Sequence, residues 1–135
     1  MTWTQLAKAY GLTFLVFLAV DFLWLGLLAK RFYQRQLGHL FAENVNWAAA
    51  FLFYLVFVLG LMVFVIYPAV KSGALVQALW MGALFGLVTY ATFDLTNLAL
   101  VKGWPAGIAL VDICWGIVLS SIVSTAGYGI AKWLS

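Results

Sequence analysis

Three of the four acidic residues, Asp21, Asp94 and Asp112, lie inside long apolar runs. An ionised carboxylate at membrane depth costs at least about 2.5 kcal/mol, so each acid needs a hydrogen-bond partner, a proton or a bound cation. The helical rise places Asp21 about 13 Å from Lys30, Asp94 about 12 Å from Lys102, and Asp112 about 12 Å from Trp104. All three therefore fall at one depth, inward from the same face. Tyr54, about 10 Å in from Trp47, joins this layer from a further helix. Asn97 and Tyr90 stand one turn either side of Asp94, with Thr92 and Thr96 nearby as further hydrogen-bond partners. Trp24 follows Asp21 by one turn and Trp115 follows Asp112 by one turn, each adding an indole N–H donor. The candidate binding set is Asp21, Asp94, Asp112, Asn97, Tyr54, Tyr90, Trp24 and Trp115.

Carboxylates clustered in low dielectric titrate as a coupled set, which suits a small transporter or binding protein for a proton, a cation or a cationic solute. A second reading is an intramembrane enzyme acting on a lipid or isoprenoid-like substrate, with one Asp as general acid and another as base. A third is a structural or assembly subunit in which the acids are protonated clasps between helices. An aqueous path to the acids favours the first, an apolar pocket opening sideways to lipid the second, and directly paired acids without a cavity the third. The oxygen-rich layer would suit a hard cation better than zinc, but the spacing matches no metal motif and no metal ligand is assigned. Ser120, Ser121 and Ser124 have no histidine on a neighbouring helix, and neither a nucleophile elbow nor a phosphate-binding glycine loop is present. The sequence assigns no catalytic residue and no cofactor.

The elements that carry these residues are membrane helices. Of the 135 residues, 67% are apolar and 8% charged, against the roughly 45–50% and 25% of soluble domains. A soluble fold could not clothe its surface with so few charges. At about 20 residues per crossing the chain holds one domain, residues 1–135, with four spans at about 6–29, 47–70, 74–101 and 105–131. The fold class is all-α, a four-transmembrane-helix bundle, since the runs are too long and continuous for barrel strands. Lys8 precedes the first run, but the run is longer than a signal segment and contains Asp21, so it is expected to remain as a membrane helix. The connection over 30–46, with Tyr33, Arg35, His39 and Glu43, has room for a short interfacial helix. Lys71-Ser72-Gly73 is expected to be a tight turn, and Lys102-Gly103-Trp104-Pro105 ends the third span.

The formal charge of +3 is spread around apolar segments, without the basic stripe of a nucleic-acid partner. Lys30, Arg31, Arg35 and Lys102 outnumber Lys8, Lys71 and Lys132 by one, which puts loops 30–46 and 102–105 in the cytoplasm and both termini outside. Lys30, Arg31 and Arg35 could also hold anionic lipid headgroups, although their topological role is the stronger reading. Trp3, Trp47, Trp104 and Trp133 are expected as interfacial anchors, with Trp47 and Trp104 at the level of His39. Gly82 and Gly86 before Asp94, and Gly116, Ser120 and Ser124 after Asp112, form small-residue stripes that let helices approach closely. The recurrence of Asp with Trp or Asn one turn later is consistent with two related helical hairpins. Cys114 is the one cysteine and forms no internal disulfide. The expected partners are the lipid bilayer and an unidentified small solute or cation, and a transport path through four short helices would require a homodimer.

The words Asp21-Phe-Leu-Trp-Leu-Gly26, Gln36-Leu-Gly-His-Leu40, Phe93-Asp-Leu-Thr-Asn97, Lys102-Gly-Trp-Pro105 and Asp112-Ile-Cys-Trp-Gly116 occur together in this chain. So do Asn46-Trp47, Phe53-Tyr54, Tyr67-Pro68-Ala69 and Gly82-Ala-Leu-Phe-Gly86. In this combination, over nearly its whole length, the chain resembles a bacterial family of small four-helix membrane proteins catalogued as a domain of unknown function. The resemblance implies the four-span topology and a bacterial inner-membrane home, and it transfers no mechanism.

Overall fold

The computed structural model describes residues 1–41 and 44–135, so Glu43 of the first connection lies outside the described residues. The order is α1 (Trp3–Leu28), α2 (Lys30–Leu37), α3 (Trp47–Ser72), α4 (Leu75–Leu100) and α5 (Ala106–Leu134). All but α2 are long and apolar enough to cross a membrane. The chain is a four-span, all-α bundle, with no strand among the described residues.

Local chemistry sets the helix ends. Thr2 caps α1 reciprocally: its hydroxyl accepts from the Gln5 N–H at 3.1 Å, and its own N–H donates to the Gln5 side chain at 2.8 Å. The Asn46 side chain accepts from the Ala49 N–H at 3.1 Å to start α3. Pro68 does not stop α3. The helix widens into a π turn over Met62–Ile66, then passes Pro68 and ends at Gly73, whose φ of 71° is left-handed. A proline ring crowds the carbonyl four residues earlier, and the wider turn just before it relieves that conflict. A second π turn, Trp24–Leu28, ends α1 beside the acid layer.

The closest helix pair is α4 with α5, while α1 packs against α5 more extensively than against α3. Gly82 faces Ser124 and Ser120, and Gly86 faces Gly116 and Ser120, so the small-residue stripes meet backbone to backbone. Phe17, Val58, Leu61, Val65, Ile66, Leu119 and Val123 fill the space between α1, α3 and α5. At the opposite end of the bundle from the termini, α2 folds back onto α5. Its Ala29, Tyr33 and Leu37 stripe packs with Ile108, while Lys30, Arg31 and Arg35 remain exposed. The His39 ring donates from Nε2 to the Gly103 carbonyl at 3.3 Å, tying the first connection to the third.

Candidate functional site

The three acids divide between two adjoining cavities. The first, about 350 Å³, is lined by Asp21 from α1 and Asp112 from α5 together with Tyr54, Tyr90 and Trp115. Its outer wall is Leu25, Phe53 and Phe93, which are 40%, 49% and 54% exposed. On a membrane helix such exposure means contact with lipid, so this cavity opens sideways between α1, α3 and α4. The second cavity, about 280 Å³, lies toward α2 and is lined by Asp94, Asp112, Tyr33, Trp104, Leu37 and Ile108, among others. Asp112 and Phe93 border both.

Hydrogen bonds hold two of the acids in place. Trp115 Nε1–H donates to Asp21 Oδ1 at 3.3 Å, and the Tyr33 hydroxyl donates to Asp112 Oδ1 at 2.8 Å. Trp24 Nε1–H reaches the Tyr33 oxygen at 3.4 Å. The Trp24 and Trp115 rings stack with centroids 4.4 Å apart and 7° between planes. The stacked pair thus joins both branches: one indole supports Asp21, the other supports Asp112 through Tyr33. Burial, and after it the Asp112 charge, push the Tyr33 phenol well above its ordinary value, so it remains a donor at physiological pH.

Asp94 differs from the other two. Its side chain is fully buried, and its carboxyl stands in hydrogen-bond contact with that of Asp112, an arrangement that requires a proton shared between the two acids. Trp104 Nε1, on the same cavity, is enclosed without a partner among the described residues. Buried polar groups are ordinarily bonded to protein or to ordered molecules.

Five of the eight sequence candidates, Asp21, Asp112, Tyr54, Tyr90 and Trp115, meet around the sideways cavity, and Trp24 supports it from behind. Asp94 lies across Asp112 from that group. Asn97 is half-buried and borders neither cavity, and it makes no side-chain hydrogen bond among the described residues. Thr92 and Thr96 are not partners of the acids, because their hydroxyls bond back to carbonyls of their own helix, Thr92 to Val88 and Thr96 to Thr92 and Phe93. Trp3, Trp47 and Trp133 are exposed as anchors should be, whereas Trp104 is half-buried. Its ring packs edge-on to Phe93 at 5.7 Å, because α2 closes over this end of the bundle. Sequence reasoning missed Tyr33 as a site residue. The available signal was the Ala29, Tyr33, Leu37 spacing, an apolar stripe on a short basic helix that must face something.

No group of three or more metal-ligating side chains gathers among the described residues. Residues 6–129 match a family described as a predicted membrane protein, DUF2177. The chain belongs to DUF2177. Neither the curated proteins nor the solved structures contain a match to it. The DUF2177 match spans all three acids, both stacked tryptophans and Tyr33.

Proposed function

We propose that this protein binds lipophilic cations drawn sideways from the bilayer, with Asp21 and Asp112 holding the charge. The observation that carries the reading is that two carboxyl side chains line one cavity whose outer wall is lipid-facing and aromatic. A cation leaving the headgroup region loses its hydration. Here a pair of carboxylates and the faces of Tyr54, Tyr90, Phe53, Phe93 and Trp115 would replace it, since aromatic faces attract cations most strongly when water is excluded. The apolar part of the ligand would occupy the wall shared with lipid. This narrows the sequence expectation of a proton, cation or cationic solute to an amphiphilic cation. We place the protein in the bacterial inner membrane with the α2 side in the cytoplasm, on the slight excess of cations at that end.

A second reading, an acid–base enzyme on an isoprenoid-like lipid, is supported by the unequal surroundings of the two acids. Asp21 accepts from an indole and Asp112 from a phenol, and unequal surroundings are how one site separates an acid from a base.

The test is equilibrium binding of tetraphenylphosphonium to the protein in lipid nanodiscs, with neutral triphenylphosphine oxide as the comparison. The cation should bind above its partition into empty nanodiscs and lose about tenfold in affinity in Asp21→Asn and Asp112→Asn. Equal binding of the cation and the neutral compound, unaffected by either substitution, would remove the cation reading. Chemical conversion of a neutral isoprenoid by wild type and not by Asp112→Asn would establish the second.

A further inference from the structure

Helix α2 has two unlike faces. Ala29, at its start, with Tyr33 and Leu37 turns inward against Ile108. On the outer side Arg31, Gln34 and Arg35 line an open depression of about 400 Å³, with no carboxylate among its lining residues. Arg31 and Arg35 stand one helical turn apart, about 6 Å between Cβ atoms, a gap that a single phosphate bridges. Each guanidinium presents a planar fork of donors that matches phosphate oxygens, and the Gln34 carboxamide adds two N–H donors beside them. Just before α2 the first span ends in Leu27 and Leu28, which are 76% and 71% exposed, so a lipid-facing surface leads directly to the basic depression. A topological signal needs only positive charge on this side of the membrane. It does not need two guanidiniums and a carboxamide around one opening.

We propose that this depression binds the headgroup of an anionic phospholipid, its phosphodiester between Arg31 and Arg35 and its acyl chains in the layer that Leu27 and Leu28 face. Phosphatidylcholine carries the same phosphodiester beside a cationic choline, which the two guanidiniums repel. A lipid without that cation keeps its full negative charge for the site. The inner face of the same helix carries Tyr33, the donor to Asp112, so a lipid held outside secures the helix that closes the acid site. The inference stands apart from the lipophilic-cation reading and does not need it.

The experiment is native mass spectrometry of the full chain in detergent, titrated with dioleoylphosphatidylglycerol or dioleoylphosphatidylcholine to obtain the affinity of the first lipid retained. Phosphatidylglycerol should bind about tenfold more tightly than phosphatidylcholine, the effect of one charge-assisted hydrogen bond. Arg31→Gln and Arg35→Gln should each remove that preference and leave phosphatidylcholine binding unchanged, which also shows that the fold is intact. Arg31→Lys keeps the charge and loses the fork, so it should weaken phosphatidylglycerol about threefold. Lys102→Gln, at an exposed cation on the same side but outside the depression, should stay within about twofold of wild type. Equal affinity of the two lipids in wild type, or an equal loss in Lys102→Gln and Arg31→Gln, overturns the site. Displacement of phosphatidylglycerol by inorganic phosphate at matching concentration would assign the depression to free phosphate and overturn the lipid assignment.

Discussion

The Tyr33 hydroxyl donates to Asp112 Oδ1 at 2.8 Å, bridging a short helix outside the membrane spans to an acid within the fourth. The bond reaches across 79 positions of sequence. It makes α2 part of the site's wall as well as a connection between spans.

Replacing Tyr33 by Phe removes this donor and also the acceptor of the Trp24 indole. The expected loss of stability is about 1–3 kcal/mol, measured by thermal unfolding in nanodiscs or detergent. The sign of the pH dependence follows from the raised phenol pKa. The folded chain holds this proton more tightly than the unfolded one, so the contribution is complete below the ordinary value of 10.0 and is lost as pH rises above it. The gap between wild type and Tyr33→Phe should therefore be constant from pH 6 to 9 and shrink at higher pH. A gap that closes on the acid side instead would assign the bond to another titration.

The contact between α4 and α5 depends on Gly86. A Cβ there would meet the Ser120 hydroxyl at 2.6 Å and the Gly116 carbonyl carbon at 2.8 Å, whereas one at Gly129 would meet nothing within 4 Å. Gly86→Ala should destabilise the bundle by about 1–3 kcal/mol. Gly129→Ala should be neutral or stabilise by up to about 1 kcal/mol, since alanine is the better helix former. Equal effects of the two substitutions would contradict the close approach.

Much of this arrangement was legible in the sequence because membrane helices announce themselves. Four long apolar runs, broken by Lys30-Arg31, Lys71-Ser72-Gly73 and Lys102-Gly103, specify four spans, and helical rise alone brought Asp21 and Asp112 to one level. Rotation about each helix axis was less legible. Asn97 is three residues from Asp94, which places it on a neighbouring line of the helix surface, and packing against α5 buried Asp94 while leaving Asn97 half-buried and away from both cavities. The division of the acids into two cavities was not legible, because it depends on Asp112 and Phe93 standing between them. Trp104 was expected as an anchor because interfacial tryptophans usually are. Nothing short of the tertiary fold shows that α2 covers it.

Four crossings put Gln34, in α2, on the opposite side from Ser135. In a Cys114→Ser background, Gln34→Cys and Ser135→Cys should react with a membrane-impermeant maleimide from opposite faces of sealed vesicles. Labelling of both from one face would contradict the four-span topology.

The central claim is that a lipophilic cation occupies the sideways cavity between Asp21 and Asp112. Photolabelling with a diazirine-bearing tetraphenylphosphonium analogue, mapped by mass spectrometry, tests it most directly. Labels should concentrate on the cavity wall at Leu25, Ala50, Phe53 and Phe93, and excess unlabelled tetraphenylphosphonium should suppress them. In Asp21→Asn with Asp112→Asn the pattern should fade to the background level of other lipid-facing residues. Labels spread evenly over exposed positions such as Leu15, Val63 and Leu79, and unaffected by excess cation, would contradict the claim.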